Sequence, residues 1–102
     1  MLSLRQFQQF LAVAETMSFR RAAEHLNMAQ PPLTATIRQM EAELGVRLFE
    51  RTNRINSLTA AGEVLRDEAQ RTIDQAERAV ALTRRAGTGR LVRCASVLSL
   101  AL

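Results

Sequence analysis

Residues 29–51, AQPPLTATIRQMEAELGVRLFER, admit few folds. Pro31 and Pro32 lack a backbone N–H and hold φ near one value, so they open a helix or end one. Leu33, Ile37, Met40 and Leu44 follow at spacings of four, three and four, an apolar stripe of α-helical period. Gly45 stands where such a helix closes in a left-handed turn. At about 100° per residue, Pro31, Ala35 and Arg38 face away from the stripe, with Pro32 and Gln39 beside them. The segment is predicted as a helix with one buried side, one open side and a sharp end.

The flanking residues supply its neighbours. Leu4, Phe7, Phe10, Leu11 and Ala14 recur at three-and-four spacing, and Gln6, Gln8, Gln9 and Glu15 fill the other side. This predicts a first amphipathic helix from about Ser3 to Thr16. Ser18 is a good N-cap for a second, whose buried face is Phe19, Ala22, Ala23 and Leu26. Asn27 suits a left-handed turn after it. Beyond Gly45, Val46, Leu48 and Phe49 suggest a short strand, and Ile55 and Leu58 a return strand. Arg51 and Arg54 lie at or near the tip between them. Thr59 then caps a proline-free helix reaching to about Ala86, roughly 42 Å at 1.5 Å per residue. That is longer than so small a domain can cover. Ala69, Ile73, Ala76, Val80 and Thr83 alternate fours and threes, with Leu65 one turn earlier, which reads as a thin coiled-coil seam buried by a second copy. GTG at 87–89 reads as a hinge, and LVRCASVLSLAL after Arg90 as the opening strand of a further, truncated domain.

Composition narrows the function. Hydrophobic content of 47% suffices for a core, and only 4 glycines and 2 prolines favour helices. The formal charge is +4, and all 14 basic residues are arginine. A GC-rich genome accounts for that bias as well as function does, but the planar arginine fork also suits phosphate and guanine. Cys94 and His25 are the single cysteine and histidine, so neither an intramolecular disulfide nor a Cys/His metal site can be built, and no cofactor is expected. No nucleophile–base pair stands at a plausible spacing, which argues against an enzyme. There is no secretory leader and no apolar run near 18 residues, so a cytoplasmic, nucleoid-associated protein without membrane insertion is expected.

The order of elements is two short helices, a tight turn between them, and a basic hairpin. The expected fold is mainly α: a winged helix-turn-helix with a three-helix core and a short two-stranded wing at 1–58, a linker and dimerisation helix at 59–86, and a hinge with the start of a further, truncated domain at 87–102, which the resemblance described next makes an effector-binding domain. That layout points at duplex DNA.

The stretches LRQFQQFLAVAETMSFRRAAEHLNMAQPPLTATIRQMEAELGVRLFERTNR, LTAAGEVL and GRLVRCAS stand in the order and spacing of a known family. Over residues 2 to about 95 the chain resembles the N-terminal DNA-binding domain of LysR-type bacterial transcriptional regulators. The resemblance implies a third helix in the major groove, a wing in a neighbouring minor groove, and antiparallel pairing of the long helix in a homodimer on an interrupted palindrome. It also implies that a small-molecule inducer acts only through the effector domain of a full-length form. By resemblance, Gln30, Pro31, Pro32, Thr34 and Arg38 occupy or flank the contact positions of the reading helix. Ser18 and Arg20 lie where the second helix meets phosphate, and Arg54 matches the wing arginine. Where the family often has Ser-Arg-Gln, this chain has Thr34-Ala35-Thr36. Ala35 can offer only apolar contact, for instance to a thymine methyl. Plainer readings stand beside these: Arg38 as a solvated charge, Gln30 as a hydrogen bonder in the cap region, and Arg51 paired with Glu50 or another carboxylate. The rival function is an interaction module that acts by pairing with a full-length regulator.

Overall fold

A computed structural model describes residues 1–51 and 55–88. The order is α1 (Leu4–Thr16), α2 (Phe19–His25), α3 (Gln30–Leu44), β1 (Phe49–Arg51), β2 (Ile55–Leu58) and α4 (Ala60–Gly87). This is the expected mainly helical architecture of three-helix core, two-stranded wing and long last helix. The expected hinge at 87–89 and strand beyond Arg90 fall mostly outside the described residues.

Each helix end has a local cause. Ser3 and Gln6 form a reciprocal capping box on α1, and Met17 closes that helix in the left-handed region at φ 53°. The Thr16 hydroxyl donates to the Ala12 carbonyl at 2.9 Å and accepts the Ser18 N–H at 3.3 Å, which sets the corner into α2. The Ser18 hydroxyl then caps α2 by accepting the Arg21 N–H at 3.2 Å. Asn27 takes φ 55° after α2. The Met28 N–H bonds the Ala23 carbonyl and the Asn27 N–H bonds that of Glu24, a Schellman turn. Helix α3 has no side-chain cap at Ala29. Two of its four free N-terminal donors are missing because Pro31 and Pro32 have none to satisfy. Gly45 closes α3 at φ 75°.

α1 lies at the centre, packed on α2, α3 and α4. The core joins Phe10, Val13, Ala22, Leu33, Ile37, Met40, Leu48, Phe49 and Ala69, all almost fully buried. Phe49, from the wing, meets Phe10 at a ring separation of 5.5 Å and Phe19 at 6.3 Å. Burying such a ring contributes about 3 kcal/mol, so the wing is held by α1 and α2 as well as by its own ladder. Strands β1 and β2 are antiparallel, with Phe49 opposite Leu58 and an irregularity between Glu50 and Arg51.

Four expectations change. Leu4 and Leu44 belong to the apolar stripes of their helices, yet each is 43% exposed. Each lies in a terminal turn of its helix, past the packed part. Val46 is exposed and outside the ladder, which starts only at Phe49. The Leu48 backbone is engaged elsewhere: its N–H bonds the Glu41 carboxylate at 2.8 Å and its carbonyl accepts the Thr59 N–H at 3.0 Å. Finally, the stripe on α4 divides. Ala69 and Ile73 are buried in the protomer's own core and Leu65 packs against it. Of the six seam residues Val80 and Thr83 are exposed and Leu65 and Ala76 half-buried, so the open part of the seam lies mainly beyond Ile73, where α1 no longer covers α4.

Candidate nucleic-acid interface

Helix α3 positions the candidate reading face. Its buried side, Leu33, Ile37 and Met40, is anchored in the core, so the opposite side is held rigidly outward. Gln30, Pro31, Thr34, Ala35 and Arg38 line one open hollow there. Pro32 is exposed beside it. The Thr36 hydroxyl donates to the Pro32 carbonyl at 3.0 Å and is occupied within the helix. Among the described residues, the Gln30 amide, the Thr34 hydroxyl and the Arg38 guanidinium have no hydrogen-bond or ion-pair partner. The one acidic residue within three or four positions of Arg38 is Glu41. It is buried and turned to the Leu48 N–H, with the Arg47 Nε at 3.9 Å. Arg38 therefore presents an unneutralised charge on a fixed face.

The first turns of α1, α2 and α3 contain no acidic residue, whereas that of α4 has Glu63. The positive ends of the first three helix dipoles thus remain uncompensated by side chains, which suits a polyanion. Ser18 caps α2 and is half-buried, so its oxygen already accepts a backbone amide. Arg20 is exposed and pairs with Glu24 at 3.2 Å. Such an exposed pair is worth about 0.5 kcal/mol, too little to hold the arginine from a phosphate. Arg54 lies outside the described residues. The fold thus gathers five of the nine proposed contact residues around one hollow, with Pro32 at its edge and Ser18 and Arg20 on the preceding helix.

A second surface forms where α1 and α4 meet, from residues far apart in the sequence. Leu4 and Gln8 of α1 and Ile73, Ala76, Val80 and Ala81 of α4 line a mainly apolar groove, to which Glu77 and Arg84 also contribute. The exposed placement of Leu4, which decides it, has no local signal, because the residue fits the apolar stripe of α1. No group of three or more metal-ligating side chains occurs among the described residues, and no described helix is long and apolar enough to cross a membrane.

Comparison with known proteins gives consistent results. Residues 4–63 match the family described as bacterial regulatory helix-turn-helix protein, lysR family. The chain is 43% identical over 88 residues to the HTH-type transcriptional regulator AlsR of Bacillus subtilis (strain 168), covering 86% of this chain and 29% of AlsR. It is 52% identical over 61 residues to the HTH-type transcriptional regulator IlvR of Caulobacter vibrioides, covering 60% of this chain and 21% of IlvR. The chain thus spans less than a third of the length of these curated relatives. Among solved structures it is similar to the CbnR_DBD–DNA complex, with TM-score 0.80, 40% identity, and coverage of 84% of this chain and 99% of that one. It is also similar to the BenM_DBD/catB site 1 DNA complex, with TM-score 0.83, 36% identity, and coverage of 88% and 100%. With that match over more than half its length, and with the helices and wing arranged as described, the chain belongs to the lysR family of bacterial regulatory helix-turn-helix proteins.

Proposed function

We propose that this chain is a sequence-specific DNA-binding module of a transcriptional regulator, with α3 in the major groove. The observation that carries the reading is the outward face of α3: a rigid helix whose Gln30, Thr34 and Arg38 groups have no partner among the described residues. The similarity to domains solved on DNA, over nearly their whole length, supports it. In this reading arginines and helix ends fix the register on phosphates and α3 distinguishes bases. Ser18 and Arg20 approach the backbone, and Arg54 enters a minor groove, where narrow width attracts arginine. The role is one of binding and not of catalysis, and it places the protein in the cytoplasm at the nucleoid.

The same reading includes a homodimer through the distal part of α4. Every residue from Glu77 to Thr88 is exposed, Val80 and Leu82 among them. A helix of about three turns with no packing is marginal in water, so a second copy seated on Ala76, Val80, Thr83 and the groove beside Leu4 would stabilise it. A two-fold dimer requires a site with dyad symmetry.

The test is selection from a random duplex pool, followed by the affinity of the winner over a salt series. The expected result is an interrupted palindrome with half-sites in successive major grooves, about one helical turn apart. Absence of enrichment, with binding that only falls steeply as salt rises, overturns the reading and leaves phosphate attraction alone. Pairing with a full-length regulator would then be the better account.

A further inference from the structure

We propose that the outward face of α3 reads a thymine beside a guanine, with the Ala35 methyl against the thymine methyl and the Arg38 guanidinium on guanine. The inference rests on the major-groove reading above and states which bases the groove must present.

The hollow is where it starts. Ala35 lies in it between Pro31, one turn before, and Arg38, one turn after. Ala35 and Pro31 bring no hydrogen-bonding side-chain atom. A base edge seated there meets carbon at that point of the helix. Thymine alone places a methyl group in the major groove. Adenine and cytosine would turn an amino group, and guanine its acceptors, toward Ala35, and a polar group desolvated without a partner is costly. Ala35 therefore selects by what it cannot satisfy as well as by what it touches.

Arg38 supplies the second half. Its charge has no partner among the described residues, unlike that of Arg20, which Glu24 holds. A free arginine on a rigid face is suited to take guanine O6 and N7 together, a pair of acceptors that no other base offers. Three residues at 1.5 Å rise put positions 35 and 38 about 4.5 Å apart along the helix axis. Base pairs are stacked about 3.4 Å apart. The two positions are close enough on one helix face for their side chains to address neighbouring base pairs, whatever the tilt of the helix in the groove.

The test begins with the half-site found by selection. Each thymine is replaced singly by deoxyuridine, which lacks only the methyl, and each guanine by 7-deazaguanine, which lacks N7. Affinities are measured for the unaltered protein and for Ala35→Gly, Ala35→Ser and Arg38→Ala. One thymine is expected whose demethylation weakens the unaltered protein about fourfold and leaves Ala35→Gly unchanged. Within two base pairs, a guanine is expected whose loss of N7 weakens binding at least about fivefold and leaves Arg38→Ala unchanged. Ala35→Ser keeps the helix should glycine loosen it, and is expected to lose the preference for thymine. Tolerance of deoxyuridine at every position, or sensitivity that persists in both Ala35 variants, overturns the proposal while sequence-specific binding stands. Equal affinity for the selected and a scrambled duplex overturns the underlying reading and this proposal with it.

Discussion

Replacing Gly62 with alanine sets local propensity against tertiary packing, and the two give opposite signs. In a helix, alanine is favoured over glycine by up to about 1 kcal/mol. Gly62 lies in the first turn of α4, and its N–H is accepted by the Thr59 hydroxyl at 3.0 Å. A Cβ built there would run into the Leu48 carbonyl oxygen and come within 2.9 Å of Leu58 Cδ2. The leucine methyl can rotate aside, but the carbonyl cannot. It accepts the Thr59 N–H at 3.0 Å, and the N–H of the same residue is bonded to buried Glu41 at 2.8 Å. Relief requires α4 to lift from the entry to the wing, which strains the Thr59 cap. Overpacking of this kind costs about 3 kcal/mol. The propensity gain offsets roughly 1 kcal/mol of it, leaving a net loss of about 2 kcal/mol. For a domain of this size that lowers Tm by about 8–16 °C. The assay is urea and thermal unfolding followed by circular dichroism at fixed protein concentration, since the proposed dimerisation would make the midpoint concentration-dependent. Gly87→Ala is the control: among the described residues nothing beyond its own helix turn lies within 4 Å of its Cβ position, so stability there is unchanged or slightly raised. Equal or greater stability for Gly62→Ala would refute the close-approach argument.

Glu41→Ala leaves the Leu48 N–H without its carboxylate acceptor; a loss of about 1–3 kcal/mol is expected, read as a lower urea midpoint at unchanged slope, and an unshifted midpoint counts against Glu41 as an anchor of the α3–wing junction. Asn27→Ala places an ordinary side chain at φ 55° in the turn between α2 and α3; a loss of about 1 kcal/mol is expected, with Asn27→Gly retaining the turn, and equal stability for both variants contradicts a conformational role for Asn27.

Much of the candidate site was legible because its signals are local. Ser18 caps α2, Asn27 and Gly45 adopt left-handed turns, and Thr59 caps α4 through bonds to neighbours three residues away or fewer, or through their own φ. The outward direction of Ala35 and Arg38 follows from helical period once Leu33, Ile37 and Met40 are buried. Helical period says which residues share a face, but not how far along the helix a partner covers it. That is why Leu44 and Leu4, correctly placed on apolar stripes, are exposed at the ends of their helices.

The amino-acid order by itself determined the helices, their ends, the presence of a hairpin after α3 and the face of α3 that turns outward, because caps, turns and periodicity act over a few residues. Only the tertiary structure decided which elements meet. It placed Phe49 against Phe10 and Phe19, turned Glu41 inward to hold Leu48, and made Gly62 a point of close approach. It also divided the α4 stripe, burying Ala69 and Ile73 under α1 while leaving Val80 open. Those outcomes depend on contacts between residues far apart in the chain, where one apolar stripe satisfies a partner in the same protomer as well as one in another. The competition between those partners is settled by three-dimensional packing, which spacing along the chain does not encode.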